Sequence, residues 1–140
     1  MYDRYDQKQL SESIEIVSQL IEEEMGKLDD RPNNIFLGGF SQGCCLALST
    51  FVKKSYPNGQ LGGILGLSGM FALQVKDWSK DVGDIKAKAQ VPVFLSHGTH
   101  DPMIPLHSAK LSYDHMKEHG LEFTFQEEYG LEHSLSMTTL

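Results

Sequence analysis

The stretch Ile35-Phe36-Leu37-Gly38-Gly39-Phe40-Ser41-Gln42-Gly43 decides the fold of this chain. Its first six residues are apolar or glycine, which is typical of a short strand covered on both faces of a parallel sheet. From Gln42 to Tyr56, two leucines and a phenylalanine return to helical spacing. The junction, Gly39-Phe40-Ser41-Gln42-Gly43, matches the pattern Gly-x-Ser-x-Gly, so the sequence predicts a sharp turn with Ser41 at its tip.

The flanking segments continue this alternation of strand and helix. Further helices are predicted at apolar steps of three or four, and further strands at short apolar runs: helices over 7–27 and 107–119, strands over 61–67, 91–95 and 123–129. The less regular stretch 70–89 is predicted as a lid or wall segment. This order predicts an α/β fold with a mostly parallel sheet, helices on both faces and one domain over residues 1–140.

Charge and cysteine content narrow the class of protein. The 140 residues include 19 acidic and 12 basic side chains, and the formal charge of -7 argues against nucleic acid and anionic lipid as partners. The only two cysteines, Cys44 and Cys45, are adjacent and form no disulfide framework. The sequence has neither a signal segment nor an apolar run of ~20 residues. We therefore expect a cytoplasmic protein without an integral membrane segment.

Ser41 is the candidate nucleophile. The sharp turn would lift its hydroxyl out of the sheet, and we expect a side chain at either flanking glycine to collide with the neighbouring strand or helix. The helix that follows presents free amides and the positive end of its dipole, so the backbone N–H of Gln42 is the predicted oxyanion donor. The alternative is a glycine-rich turn in which Ser41 only caps the helix.

A nucleophilic serine needs a base that an acid orients, and in folds with this motif the chain order is serine, acid, histidine. Asp101 lies just beyond the third predicted strand, in a loop stiffened by Pro102 and Pro105. His133 follows the fourth strand in a loop that begins with glycine. Both loops come at the carboxyl ends of strands, so the sequence predicts Ser41, Asp101 and His133 as a catalytic triad.

Other interpretations of these residues stay open. Asp101 could cap a turn, and His133 could be a surface histidine. His97 is expected to fix its loop by hydrogen bonds, although together with His100 and Asp101 it also offers the ligand types of a zinc site. A cysteine at the helix start could be a thiolate nucleophile, against which core packing is the commoner role. Rival acids precede the third strand: Asp77, Asp81 and Asp84.

Three segments in this order resemble the acyl-protein thioesterase family, also called the phospholipase/carboxylesterase family of α/β-hydrolases. They are Leu37-Gly38-Gly39-Phe40-Ser41-Gln42-Gly43, Ser96-His97-Gly98-Thr99-His100-Asp101-Pro102 and Gly130-Leu131-Glu132-His133-Ser134. The similarity runs from about Tyr2 to Ser136. The resemblance implies Ser41 as nucleophile, Asp101 as acid and His133 as base, with no cofactor and no metal. It implies S-acylated (palmitoylated) proteins, lysophospholipids or small carboxylic esters as substrates.

The sequence departs from the family pattern at three places. Cys44 stands where members carry a second glycine after the motif. The family's His-Gly-x-Gly loop, which supplies a second oxyanion donor, does not precede Ser41, and the sequence ends shortly after His133. We therefore expect a partial α/β-hydrolase domain, truncated at both ends, that carries a full triad on about half a sheet. Its strand 35–40 would then expose an apolar edge suited to self-association.

Apolar residues after the second and third strands are candidates to line an acyl-chain groove: Met70, Phe71, Leu73, Met103 and Ile104. Ordinary core packing is the alternative for each of them. The leading hypothesis is a serine hydrolase that cleaves thioesters or esters through an acyl-enzyme. The alternative is a catalytically impaired remnant that binds acyl chains or proteins.

Overall fold

The computed structural model describes residues 7–71 and 82–134 of the chain. Helices and strands alternate in the order α1 (Gln7–Gly26), β1 (Phe36–Phe40), α2 (Gln42–Lys53), β2 (Gly63–Leu67), α3 (Val82–Ala89), β3 (Val93–Gly98), α4 (Leu106–Glu118) and β4 (Thr124–Glu128). A short 3-10 turn over Pro32–Asn34 leads into β1. The predicted strands and the three long helices form where the sequence places them, with ends that shift by a few residues.

The four strands form one parallel sheet in the order β1-β2-β3-β4. Each strand pairs with the next strand along the chain, and parallel neighbours require a crossover connection between them. All four carboxyl ends therefore lie at one edge of the sheet, where Ser41, Ser68, Thr99 and Tyr129 directly follow the strands. The predicted α/β class with a parallel sheet is confirmed.

One face of the sheet packs against α2 and α4. Cys44 of α2 lies so close to β2 that a Cβ added to Gly66 would be 2.8 Å from its Sγ atom. The same Sγ atom is 3.6 Å from the hydroxyl oxygen of Tyr113 on α4, and the Tyr113 ring contacts Phe125 of β4 at 5.6 Å between centroids. Ile21 of α1 joins the same apolar cluster. This cluster is the core of the described residues.

The opposite face of the sheet is apolar and open in the part of the chain that the structure describes. Phe36 of β1 is 74% exposed and Leu65 of β2 is 40% exposed. With Pro92 and Phe94 they border a shallow cavity of about 380 Å³. Parallel sheets normally bury both faces, which is why the sequence predicted helices on both. Among the described helices, those that contact the sheet lie on one face.

The sequence predicted a lid or wall segment over 70–89, and the structure has helix α3 over its second half. Residues 72–81 lie outside the described residues. The eight residues of α3 are too few for a clear apolar period. The buried Lys88 ammonium donates to Asp84 Oδ2 at 3.0 Å, to Ser55 Oγ at 3.1 Å and to the Val52 carbonyl at 3.4 Å. A cation there offsets the unpaired carbonyls that end α2. Asp84 is therefore an ion-pair partner, while Asp77 and Asp81 fall outside the described residues.

Removing Asp84 alone should cost more stability than removing the whole ion pair. Asp84→Leu leaves the Lys88 ammonium buried without its carboxylate, and we expect the free energy of unfolding to fall by about 3–5 kcal/mol. The double variant Asp84→Leu/Lys88→Met buries no charge, so most of that loss should be recovered. Urea denaturation followed by circular dichroism measures both, and equal losses in the two variants would contradict the prediction.

Candidate active site

Ser41 occupies a strained turn between β1 and α2. Its backbone has φ 58° and ψ -117°, which non-glycine residues rarely adopt. The Ser41 N–H donates to the Leu67 carbonyl at 2.9 Å, and the Ser41 carbonyl accepts from Cys44 N–H at 3.0 Å. Gln42 is the first residue of α2, where a backbone N–H has no partner inside the helix. The turn thus brings the Ser41 hydroxyl to a helix N-terminus that attracts negative charge.

The two glycines of the motif have different roles. A Cβ on Gly39 would lie 2.1 Å from the carbonyl atoms of Gly43, closer than any side chain can approach. A Cβ on Gly43 would meet no atom within 4 Å outside its own stretch of α2. The expectation that a side chain at either glycine would collide is therefore correct for Gly39 and wrong for Gly43. Only the Gly39 position faces the backbone of the neighbouring element, where β1 and α2 cross.

Alanine at these two glycines should have opposite consequences. Gly39→Ala forces β1 away from α2, and we expect the free energy of unfolding to fall by about 3 kcal/mol, the upper range for overpacking. Gly43→Ala is the matched control and should leave stability unchanged or raise it by up to ~1 kcal/mol through helix propensity. Thermal unfolding of the two variants compares them, and a tolerated Gly39→Ala would show that the crossing is looser than described.

Asp101 is fully enclosed by hydrogen-bond donors. Its side chain is 0% exposed, and Oδ1 accepts from the backbone N–H groups of Met103 and Ile104, both at 2.8 Å. Oδ2 accepts from His133 Nδ1 at 2.7 Å. Burial of a carboxylate is costly unless hydrogen-bond donors replace the lost water, and here backbone and imidazole N–H groups do so. The Asp101 side chain is therefore both turn cap and imidazole partner.

His133 joins the serine to this carboxylate. Because a carboxylate only accepts, His133 Nδ1 carries the proton, and Nε2 can accept from the Ser41 hydroxyl at 2.8 Å. The imidazole ring packs against Phe40 with centroids 5.0 Å apart. The structure thus brings together the three side chains that the sequence nominated, at the carboxyl edge of the sheet, although Ser41 and His133 are 92 residues apart.

Contacts with neighbouring strand ends hold the His133 loop in place. The Ser68 hydroxyl donates to the Ser134 carbonyl at 3.2 Å, and Ser68 itself has a positive φ of 55°. A Cβ on Gly98 would lie 2.1 Å from the Leu131 carbonyl oxygen, so only glycine allows this approach. Sequence reasoning did not single out either residue; the Ser68-Gly69 pair at the end of a buried strand was the available signal.

The predicted acyl-groove residues have mixed positions. Met70, Phe71 and Ile104 belong to the core cluster and are almost completely buried, so they offer no surface to a ligand in this structure. Although these residues follow strands at the carboxyl edge of the sheet, their side chains pack in the core and not on the surface. Met103 is 54% exposed beside the Asp101 loop, and Leu73 lies outside the described residues.

The cysteines take part in packing. Cys44 is completely buried, and that burial raises the pKa of its thiol to about 12, so the thiol stays protonated at neutral pH. Cys45 is buried beside it. The small Cys44 side chain fits between Gly66 and Gly69. Because these two glycines have no side chains, a non-glycine residue after the motif is accommodated without a collision. The thiolate interpretation is incompatible with this environment.

The described residues offer neither a metal centre nor a membrane-spanning helix. Residues 7–71 and 82–134 contain no group of three or more His, Cys, Asp or Glu side chains arranged to hold a metal ion. His97 and Asp101 instead form hydrogen bonds with the backbone of Ile104. Among the helices of the same residues, none combines the length and apolar character needed to cross a bilayer.

Comparison with known sequences identifies the family. The model of the phospholipase/carboxylesterase family matches residues 2–140, and the chain therefore belongs to that family. Acyl-protein thioesterase 1 of Kluyveromyces lactis is 33% identical over 138 residues, which cover 96% of this chain and 57% of that protein. Acyl-protein thioesterase 1 homolog 1 of Dictyostelium discoideum is 35% identical over 131 residues, 94% of this chain and 55% of that protein. The chain spans little more than half the length of these curated relatives.

Solved structures agree on the α/β-hydrolase fold. SOBER1 of Arabidopsis thaliana superposes with a TM-score of 0.76 at 28% identity, over 96% of this chain and 60% of that one. Acyl-protein thioesterase 2 of Zea mays gives a TM-score of 0.62 at 25% identity, over 73% of this chain and 49% of that one. The Bacillus cereus carboxylesterase, at 21% identity and a TM-score of 0.75, shares the fold.

Proposed function

We propose that this chain carries the catalytic triad of a serine hydrolase that cleaves thioesters or carboxylic esters through an acyl-enzyme. One observation supports the proposal most directly: an unbroken line of hydrogen bonds of 2.8 Å and 2.7 Å from Ser41 through His133 to the buried Asp101 carboxylate. The nucleophile, the base and the group that orients the base are all present, in the chain order expected for this fold.

In the proposed reaction, Ser41 Oγ attacks the acyl carbonyl carbon while His133 Nε2 takes the hydroxyl proton. The tetrahedral intermediate collapses with cleavage of the C–S or C–O bond, and His133 returns the proton to the leaving thiol or alcohol. Water then attacks the acyl-Ser41 ester, with His133 as base, and releases a carboxylic acid. Asp101 stays ionised and stabilises the imidazolium in both steps.

The charge that develops on the carbonyl oxygen needs donors. We assign the Gln42 backbone N–H to this role, because it lies next to Ser41 at the start of α2 and has no partner inside the helix. The sequence before Ser41 contains no His-Gly-x-Gly segment to supply a second donor. Removal of one oxyanion donor costs ~10²–10³ in rate, so the Gln42 N–H would carry a large share of the rate enhancement.

The relatives suggest the substrate class. Two curated relatives at 33% and 35% identity are acyl-protein thioesterases, so S-acylated proteins are the first substrates to test, with lysophospholipids and small esters beside them. The free thiols of Cys44 and Cys45 suit a reducing compartment, and we place the activity in the cytoplasm. We treat residues 1–140 as one α/β-hydrolase domain of that enzyme.

Ser41→Ala should reduce hydrolysis of a p-nitrophenyl ester and of a palmitoyl thioester by at least ~10³-fold, because no other group supplies the nucleophile. Ser49→Ala is the matched control, since it removes a buried hydroxyl from α2, the helix that follows Ser41, without touching the triad. Stoichiometric labelling by a fluorophosphonate probe should occur in the parent chain and in Ser49→Ala only. Equal hydrolysis by the Ser41→Ala variant would refute the proposed function.

The open face of the sheet favours a second candidate, a binding module. A folded chain that fails to react with the fluorophosphonate probe would favour this role over catalysis, because labelling requires only an activated serine. The apolar side chains of Phe36 and Leu65 at the β1 side of the sheet would then contact an acyl chain or a protein.

We also propose that the edge of the sheet formed by β1 supports self-association. In the described sheet β1 pairs with β2 only, so its other side is free to pair with a second copy. Phe36→Lys places a charge on the edge strand and should shift the chain towards monomer in sedimentation velocity runs across a concentration series. Ile16→Lys is the control, because Ile16 is also apolar and exposed but lies on α1. A monomeric parent chain, or equal effects of the two variants, would contradict the prediction.

A further inference from the structure

We propose that His97 is a positioning residue that aims the Asp101 carboxylate at His133. The inference rests on the proposed function and extends it to a side chain that touches neither the nucleophile nor the substrate. His97 lies on β3, four residues before Asp101, and its side chain is 0% exposed. A polar side chain with no access to water must obtain its hydrogen bonds from the protein around it.

The contacts of His97 fix which ring nitrogen carries a proton. Its Nε2 atom is 2.7 Å from the Ile104 carbonyl oxygen, which can only accept, so Nε2 is the protonated nitrogen. The same nitrogen is 3.5 Å from Asp101 Oδ2, the oxygen that receives the His133 hydrogen bond. Its Nδ1 atom has no hydrogen-bond partner in the part of the chain that the structure describes. All the polar contacts of the ring therefore come from Nε2.

Two hydrogen bonds to Ile104 link His97 to Asp101. Ile104 donates its N–H to Asp101 Oδ1 at 2.8 Å and accepts from His97 through its carbonyl oxygen. The peptide groups on both sides of Ile104 are thus fixed, one by the carboxylate and one by β3. Without the second bond the loop could pivot about Asp101 and carry Oδ2 away from His133 Nδ1.

The sheet gives this arrangement its rigidity. His97 pairs with Glu127 in the register between β3 and β4, and the next strand position, Gly98, contacts the Leu131 carbonyl of the His133 loop. One strand therefore orients the acid loop through His97 and abuts the base loop through Gly98. Displacements of about 1 Å in a reacting group can cost ~10²-fold in rate, so this support has consequences for turnover.

Three substitutions separate positioning from packing. The amide of His97→Gln can reach the place of Nε2 and bond the Ile104 carbonyl, whereas the shorter His97→Asn reaches only the place of Nδ1, where no partner lies. His97→Leu fills the space without a donor. We expect kcat to fall ~10²-fold in the Asn and Leu variants with KM changed less than about twofold, and we expect the Gln variant to recover most of the loss.

Leu95→Val is the matched control for stability. Leu95 is buried on the same strand and the same face as His97, and loss of one methylene should lower stability without changing kcat. Denaturation midpoints of all four variants then show whether kcat follows stability. If kcat tracks the midpoint across the four variants, His97 is a packing residue and the inference fails.

A readout that needs no turnover keeps the inference separate from the proposed function. Proton NMR of the imidazole N–H groups reports the His133 hydrogen bond to Asp101 as a downfield Nδ1–H resonance. It should persist in His97→Gln and in Leu95→Val, and disappear or shift in His97→Asn and His97→Leu. Persistence of the parent resonance in His97→Leu would overturn the positioning role, even in a chain that hydrolyses nothing. A chain that shows the resonance changes but no hydrolysis would instead contradict the proposed function.

Discussion

The close crossing of β1 and α2 is the constraint on which the rest of the site depends. A Cβ added to Gly39 would lie only 2.1 Å from the Gly43 carbonyl group. At so short a separation the chain must reverse direction within two residues. That reversal forces Ser41 into its positive φ and points its hydroxyl away from the sheet. It also sets the first turn of α2 beside the hydroxyl, so one steric condition places the Ser41 hydroxyl next to a helix N-terminus that attracts an anion.

A second condition concerns burial of charge. The Asp101 carboxylate lies in a site without solvent, where an unpaired charge would be very costly. Two backbone N–H groups and the His133 imidazole offset that cost. These donors come from the loop that Asp101 itself begins and from the loop after β4. The same bonds that replace water around the Asp101 carboxylate therefore fix the distance between the two loops.

The sequence predicted the sheet and the three site side chains because both depend on local order. Strand, turn and helix signals are short-range, so they can be recognised along the sequence. In a parallel sheet the loop after each strand must lie at the same edge, and this rule alone predicts that Ser41, Asp101 and His133 are near one another. Helix α3 escaped prediction because eight residues around a buried lysine show no apolar stripe. The burial of Met70 and Phe71 depends on how α4 packs over the sheet edge, and the one-sided role of Gly39 depends on the crossing geometry. Neither can be read from spacing along the chain.

The hydrogen bond between Ser41 and His133 also has a consequence for the order of folding. It spans 92 positions, and its imidazole comes from the loop after β4. Contacts of such long sequence separation form late, because the loop-closure entropy must be overcome first by docking of the intervening elements. The residues of β1, α2 and β2 precede β4 in the chain, and the Ser41 hydroxyl lacks its imidazole partner until β4 joins the sheet. The Ser41–His133 hydrogen bond would therefore report completion of the fold, because a nascent or partly folded chain lacks the loop that carries the imidazole.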